Sequence, residues 1–246
     1  MSNKVLKITI TICMLFFLMD TATSQGFQPY KSNAITYHGY MYPVVPGTDA
    51  WKHLDHMQRV SSLQLPNDTL HDISTERLLE TCLYYPFNID IFAFDDKIES
   101  FRRVKEQFNG YAELYQRGDF VQKLINLYDT RDVAAVNNID GDHDKGLYAF
   151  DYHILEYMLT DTAILASSTQ SEQIVHILIE KKTQKTRYNA YGSTNRLAIA
   201  LAIGRCIQRT NAYADYQGTT LQEFLQSGRL TNVSDLDYIY SKIENQ

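Results

Sequence analysis

"DDKIESFRRVKEQFNGYAELYQRGDFVQKLINLYD", residues 95–129, decides the fold class. Ile98, Phe101, Val104 and Phe108 recur every three or four residues, the spacing of one face of an α-helix. Asp95 and Asp96 stand where the positive end of the helix dipole favours carboxylates, and Asn109-Gly110 offers a left-handed stop. "YAELYQRG" reads as a short second helix ending at Gly118. Asp119 then serves as cap for "DFVQKLINLYD", which puts Phe120, Leu124 and Leu127 on one side. Connections of a few residues make such neighbours pack antiparallel or at a steep angle.

The same pattern extends in both directions. "TDAWKHLDHMQRV" (48–60) spaces Trp51, Leu54, Met57 and Val60 as one helix face. "STERLLETCLYYP" (74–86) gathers Leu78, Leu79, Cys82 and Leu83, with Ser74 as N-cap and Pro86 as terminator. "LYAFDYHILEYML" (147–159) places Phe150, Ile154 and Met158 four apart. Thr169 with Glu172, Thr220 with Glu223 and Ser234 with Asp237 repeat the capping-box spacing. "GSTNRLAIALAIGRCIQR" (192–209) is apolar on nearly every side and rich in alanine, so it reads as the central packing helix. No alternating strand pattern of useful length occurs outside "NAITYHGYMY" (33–42), where a short hairpin is the alternative to extended chain. The fold class is all-α: an irregular multi-helix array, with HEAT-like helix pairs as one arrangement. The helix spacing shows no clean solenoid period.

The first 24 residues read as a signal peptide. "MSNKVLK" is a basic start, "ITITICMLFFLM" (8–19) an uncharged apolar run, and Ala22-Thr23-Ser24 a small-x-small site that places cleavage before Gln25. The run is shorter than the roughly 20 residues a membrane span needs. Residues 25–47 carry Pro/Gly punctuation without helical periodicity and read as an extended, loosely held leader; residues 48–246 form the helical domain. This organisation implies a secreted or periplasmic protein with no membrane span after cleavage.

Residues 25–246 hold 21 basic and 28 acidic side chains. That balance argues against nucleic acid, whose non-specific binding rests on neutralising phosphate. Only Cys82 and Cys206 remain in this span; they could pair in an oxidising compartment or serve as small hydrophobes. Tyrosine is abundant, 18 of 246 residues, and is read as filling the rims of helix contacts with its hydroxyl in water. The basic run "KKTQKTR" (181–187) reads as a solvated helix end that complements the dipole. His53 and His56 lie one turn apart but lack the further ligands zinc requires, so they read as surface residues. No GxSxG, HExxH, P-loop or dinucleotide fingerprint is present.

Four stretches carry a resemblance. "MYPVVPGTDAWKHL", "LLETCLYYPFNIDIFAF", "FNGYAELYQRGD" and "YGSTNRLAIALAIGR" resemble the patterns YPVxPGTxEWxxL, LVETCLxYP, FNGxxEL and YGSTxRLA of a set of uncharacterised secreted proteins from Bacteroidetes-type bacteria. The resemblance covers most of residues 40–205; the 210–246 tail and "DGDHD" lie outside it. It implies an exported, mostly helical protein. It carries no established activity, so no catalytic residue is transferred.

One stretch has the look of a metal site. In "NNIDGDHDKGLYAFD" (137–151), numbering Asp140 as position 1 puts Asp142, Asp144 and Asp151 at 3, 5 and 12, the ligand spacing of an EF-hand-type calcium loop. Lys145 occupies the turn position that wants glycine, Gly146 comes one place late, and Asp151 is shorter than the usual glutamate. The alternative is an Asp-Gly turn whose carboxylates favour the start of a helix. The functional expectation is a non-catalytic binding or interaction module for an extracellular protein or glycan. The alternative is an extracellular hydrolase acting on polymer.

Overall fold

The computed structural model describes residues 37–161, 168–208 and 215–244. The signal segment and the first part of the leader lie outside these residues. No strand occurs among them, and the architecture is the expected irregular array. Its α-helices are α1 (Asp49–Lys52), α2 (His56–Ser62), α3 (Asn67–Asp72), α4 (Thr75–Leu83), α5 (Lys97–Gln107) and α6 (Asn109–Leu114). They continue with α7 (Phe120–Thr130), α8 (Asp142–Thr160), α9 (Ser168–Lys185), α10 (Ser193–Gln208), α11 (Thr220–Ser227) and α12 (Ser234–Glu244). Two 3-10 segments, Pro86–Phe92 and Val133–Asn138, connect them.

Where α5 meets α6, the expected left-handed stop is absent. Phe108 is extended (φ −126°, ψ 118°), and the next helix begins at Asn109. Gly110 is needed for space instead: a Cβ there would collide with the Phe108 ring, which stacks on Tyr85 at 4.4 Å. Asn109 uses its side chain like a backbone amide, accepting from Leu65 N at 2.9 Å and donating to Leu65 O at 2.8 Å.

Other caps divide between expectation and correction. Ser74 Oγ accepts from Arg77 N, as its position implied, and Asp96 caps α5 through Glu99 N at 2.8 Å. Asp119 precedes α7 without capping it; its carboxylate accepts from Thr75 Oγ1 at 2.7 Å. Thr220 forms no capping box either, because Oγ1 is held by Tyr216 and Asp235. The Thr169 side chain lies outside the described residues. The single helix expected over 48–60 is two. Asp55 caps α2 in a reciprocal box with Gln58, which breaks the apolar stripe and leaves Met57 exposed.

The described part of the leader, residues 37–47, is bound more firmly than its composition suggested. Tyr37, Tyr42 and Val45 are buried. Its backbone is paired by α4 side chains: His38 N donates to Glu80 Oε2 at 3.0 Å, and Tyr40 N to Thr81 Oγ1 at 2.8 Å. Arg77 Nε returns a bond to His38 O at 2.8 Å. Side chains of one helix thus supply the partners that a hairpin would have taken from its own second strand.

α10 is the centre of packing. It lies against α8, α9, α11 and α12, and Ala198, Ala200 and Ala202 are all buried. Small side chains let four helices approach one axis. α8, flanked by α4, α7 and α10, is buried on almost every side from Tyr148 to Thr160. Its polar residues Asp151, His153 and Glu156 are therefore carried into the interior. No helix among the described residues is long and apolar enough to cross a membrane. Cys82 and Cys206 are both buried and not joined to each other.

Candidate ligand pocket

Two polar residues of α8, Glu156 and Asp151, find partners on α7, just after it and on α9. Glu156 is fully buried, and its Oε1 accepts from Tyr128 Oη at 2.7 Å and from Lys185 Nζ. Burial raises the Glu156 pKa, an effect opposed by Lys185; burial likewise lowers Lys185, opposed by Glu156. The Lys185 ammonium also rests 4.4 Å from the centre of the Tyr152 ring. Glu156 Oε2 is buried without a hydrogen-bond partner among the described residues. Asp151 is paired with Arg131, whose guanidinium lies over Tyr148 at 4.4 Å.

Tyrosine hydroxyls complete this network. Tyr152 donates to the carbonyl of Arg131 at 2.9 Å, Tyr148 to that of Asp132 at 2.6 Å, and Tyr191 to that of Val133 at 2.9 Å. Lys181 Nζ adds bonds to the carbonyls of Asp129 (2.6 Å) and Arg131 (2.8 Å). Three phenols and an ammonium thus bind carbonyls at the end of α7 (Asp129, Arg131) and at the start of the 3-10 segment that follows it (Asp132, Val133). These tyrosines are not rim residues with wet hydroxyls; all three are buried. The basic run 181–187 is solvated only in part: Lys181 and Lys185 are both 5% exposed, whereas Arg187 is exposed.

The aspartates proposed for calcium do not converge. Gly141, at φ 81°, opens α8, so Asp142 and Asp144 form the first helical turn and Asp140 lies exposed before it. Asp151 lies nine residues further along the same helix, about 14 Å down its axis at 1.5 Å per residue. It is turned inward to Arg131. The EF-hand spacing requires a loop through position 12, and this chain is already helical at position 3. The helix-start reading of the acidic turn is the one the geometry favours.

The other end of the network opens into a pocket of about 310 Å³ between the end of α9, the start of α10 and α12. Lys185, Tyr191, Asn195 and Ile199 line it as buried residues, while Lys182, Tyr188, Arg196 and Tyr240 are at least partly exposed. Lys182 Nζ lies 3.8 Å from the centre of the Tyr240 ring. Burial raises the Tyr240 phenol pKa to about 12, so it is neutral at ordinary pH. Asn195 is 3% exposed, and its Oδ1 has no hydrogen-bond partner among the described residues. Lys185 is answered by Glu156, whereas Lys182 and Arg196 have no ion-pair partner among the described residues. The pocket therefore offers two uncompensated cations, aromatic surfaces and an amide. Glu156, behind Lys185 and outside the lining, already serves two donors.

Sequence reasoning quoted "YGSTNRLA" as the start of a helix and missed that Tyr191, Asn195 and Arg196 line a cavity. The available signal was Asn195-Arg196 opening an otherwise apolar helix that follows a basic one. No family model, curated protein or solved structure matches the chain.

Proposed function

We propose that this chain is an exported, non-catalytic binding protein whose pocket between α9, α10 and α12 takes a small ligand with an anionic group beside a ring. The observation that carries this reading is the lining itself: Lys182 and Arg196 without ion-pair partners among the described residues, set beside Tyr188 and Tyr240. A volume of about 310 Å³ lies at the lower end of the range for small-molecule sites. A charge-assisted hydrogen bond to such an anion is worth about 1.5–3 kcal/mol. Export is supported by Lys4, Lys7 and the apolar run 8–19. The competing hydrolase reading lacks a comparable observation, since Glu156 is held by Tyr128 and Lys185.

Isothermal titration with glucuronate, galacturonate and benzoate tests this reading. At least one should bind saturably, and Arg196→Ala should weaken it by roughly tenfold or more, as loss of one charge-assisted bond implies. Absence of saturable binding across the three ring acids would overturn it.

A further inference from the structure

A second cavity, of about 530 Å³, adjoins the first. Tyr188 and Asn189 line both, so they form a shared ridge between them. The second cavity is further lined by Asn137, Asp142, Lys145 and Arg187. The start of α8 contributes Asp142, Lys145 and Gly146 to its lining. The chain as a whole carries a net charge of −6. Yet, with Lys185 answered by Glu156, the two linings still hold Lys145, Lys182, Arg187 and Arg196 against one lining acid, Asp142.

We propose that the two cavities form one extended site for an acidic oligosaccharide, a chain of sugar rings bearing single carboxylates. This rests on the binding function assigned to the first pocket and names its ligand class. The cations are distributed along the site rather than gathered at one point. Lys182 and Arg196 lie in one cavity and Lys145 and Arg187 in the other, which suits single negative charges repeated along a chain. Asp142 sits among the second set; it accepts hydroxyl protons readily and repels a multiply charged phosphate. Asn137 and Asn189 add amides that both donate and accept, as ring hydroxyls demand. Tyr188, half-buried on the ridge, presents an amphipathic ring where successive units would cross from one cavity to the other.

The test titrates the full chain with tetragalacturonate, with monomeric galacturonate and with ATP. The tetramer should bind at least tenfold more tightly than the monomer, because it gains contacts beyond the ridge. Lys145→Ala/Arg187→Ala, both in the second cavity, should weaken the tetramer at least fivefold more than the monomer. Equal affinity for tetramer and monomer, or equal weakening of both, would overturn the extended site and leave the single pocket standing. Failure of both sugars to bind while benzoate binds would overturn the ligand class alone. Failure of every ring acid removes the pocket reading as well. ATP binding more tightly than the tetramer would replace the acidic sugar with a nucleotide.

Discussion

Lys185 and Glu156 form the most consequential contact at the residue scale. Two charges taken out of water are costly, and removing one partner strands the other in the interior. Lys185→Met should lower stability by about 3–5 kcal/mol, read as a drop in denaturation midpoint. Adding Glu156→Gln to it should recover part of that loss, since no carboxylate is then left without its cation. A double variant no more stable than the single one would show that the two are not coupled. His153 supplies a pH signature. Burial, with the nearby Lys185 charge, lowers its pKa from 6.5 to about 4, while its ring lies 5.7 Å from Phe92 and 5.8 Å from Phe150. Its contribution is fully present above pH 6.5. Between pH 6.5 and 4 the unfolded chain binds a proton that the folded chain refuses, so stability falls with pH, by up to roughly 3 kcal/mol. Glu156, with a raised pKa, titrates in the opposite sense. The readout is therefore the difference from His153→Phe, whose stability should decline less steeply over that range.

Among the elements, α10 has the least room. Ala200 is fully buried in a helix that touches four others, and Ala200→Leu should cost about 1–3 kcal/mol by overpacking. An unchanged melting temperature would contradict that placement. This helix was legible from "LAIALAIG", because an apolar surface on every side has only one stable location. Its neighbour α8 was not. Asp151, His153 and Glu156 make α8 look amphipathic from sequence, and their burial depends on Arg131 and Lys185, supplied from 20 and 29 residues away. The same distance hid the fate of the acidic turn. Calcium at several millimolar, above the range typical of extracellular loops, should leave the melting temperature unchanged in the wild-type chain and in Asp140→Ala/Asp142→Ala alike. A rise confined to the wild type would mean that the start of α8 unwinds to bind the ion.

For the molecule as a whole, the helical class followed from periodicity, while the pocket did not. A cavity is a property of how elements converge, and Lys182, Arg196 and Tyr240 come from three of them. The course of residues 37–47 was hidden for a related reason: Pro and Gly exclude helix but say nothing of Glu80 and Thr81 waiting on α4. The tyrosines hold a consequence of their own. Tyr128, Tyr152 and Tyr191 resist ionisation because burial disfavours the phenolate, and Tyr152 and Tyr191 also donate to backbone carbonyls, which a phenolate cannot do. In strong alkali these rings should stay silent, and then ionise together when the fold opens. Tyrosinate absorbance should therefore rise in two phases, the exposed phenols first and the buried ones in step with loss of helical circular dichroism. The interior thus contains its own optical gauge of unfolding. A single smooth rise, completed while the helices persist, would mean that base reaches these rings in the folded chain.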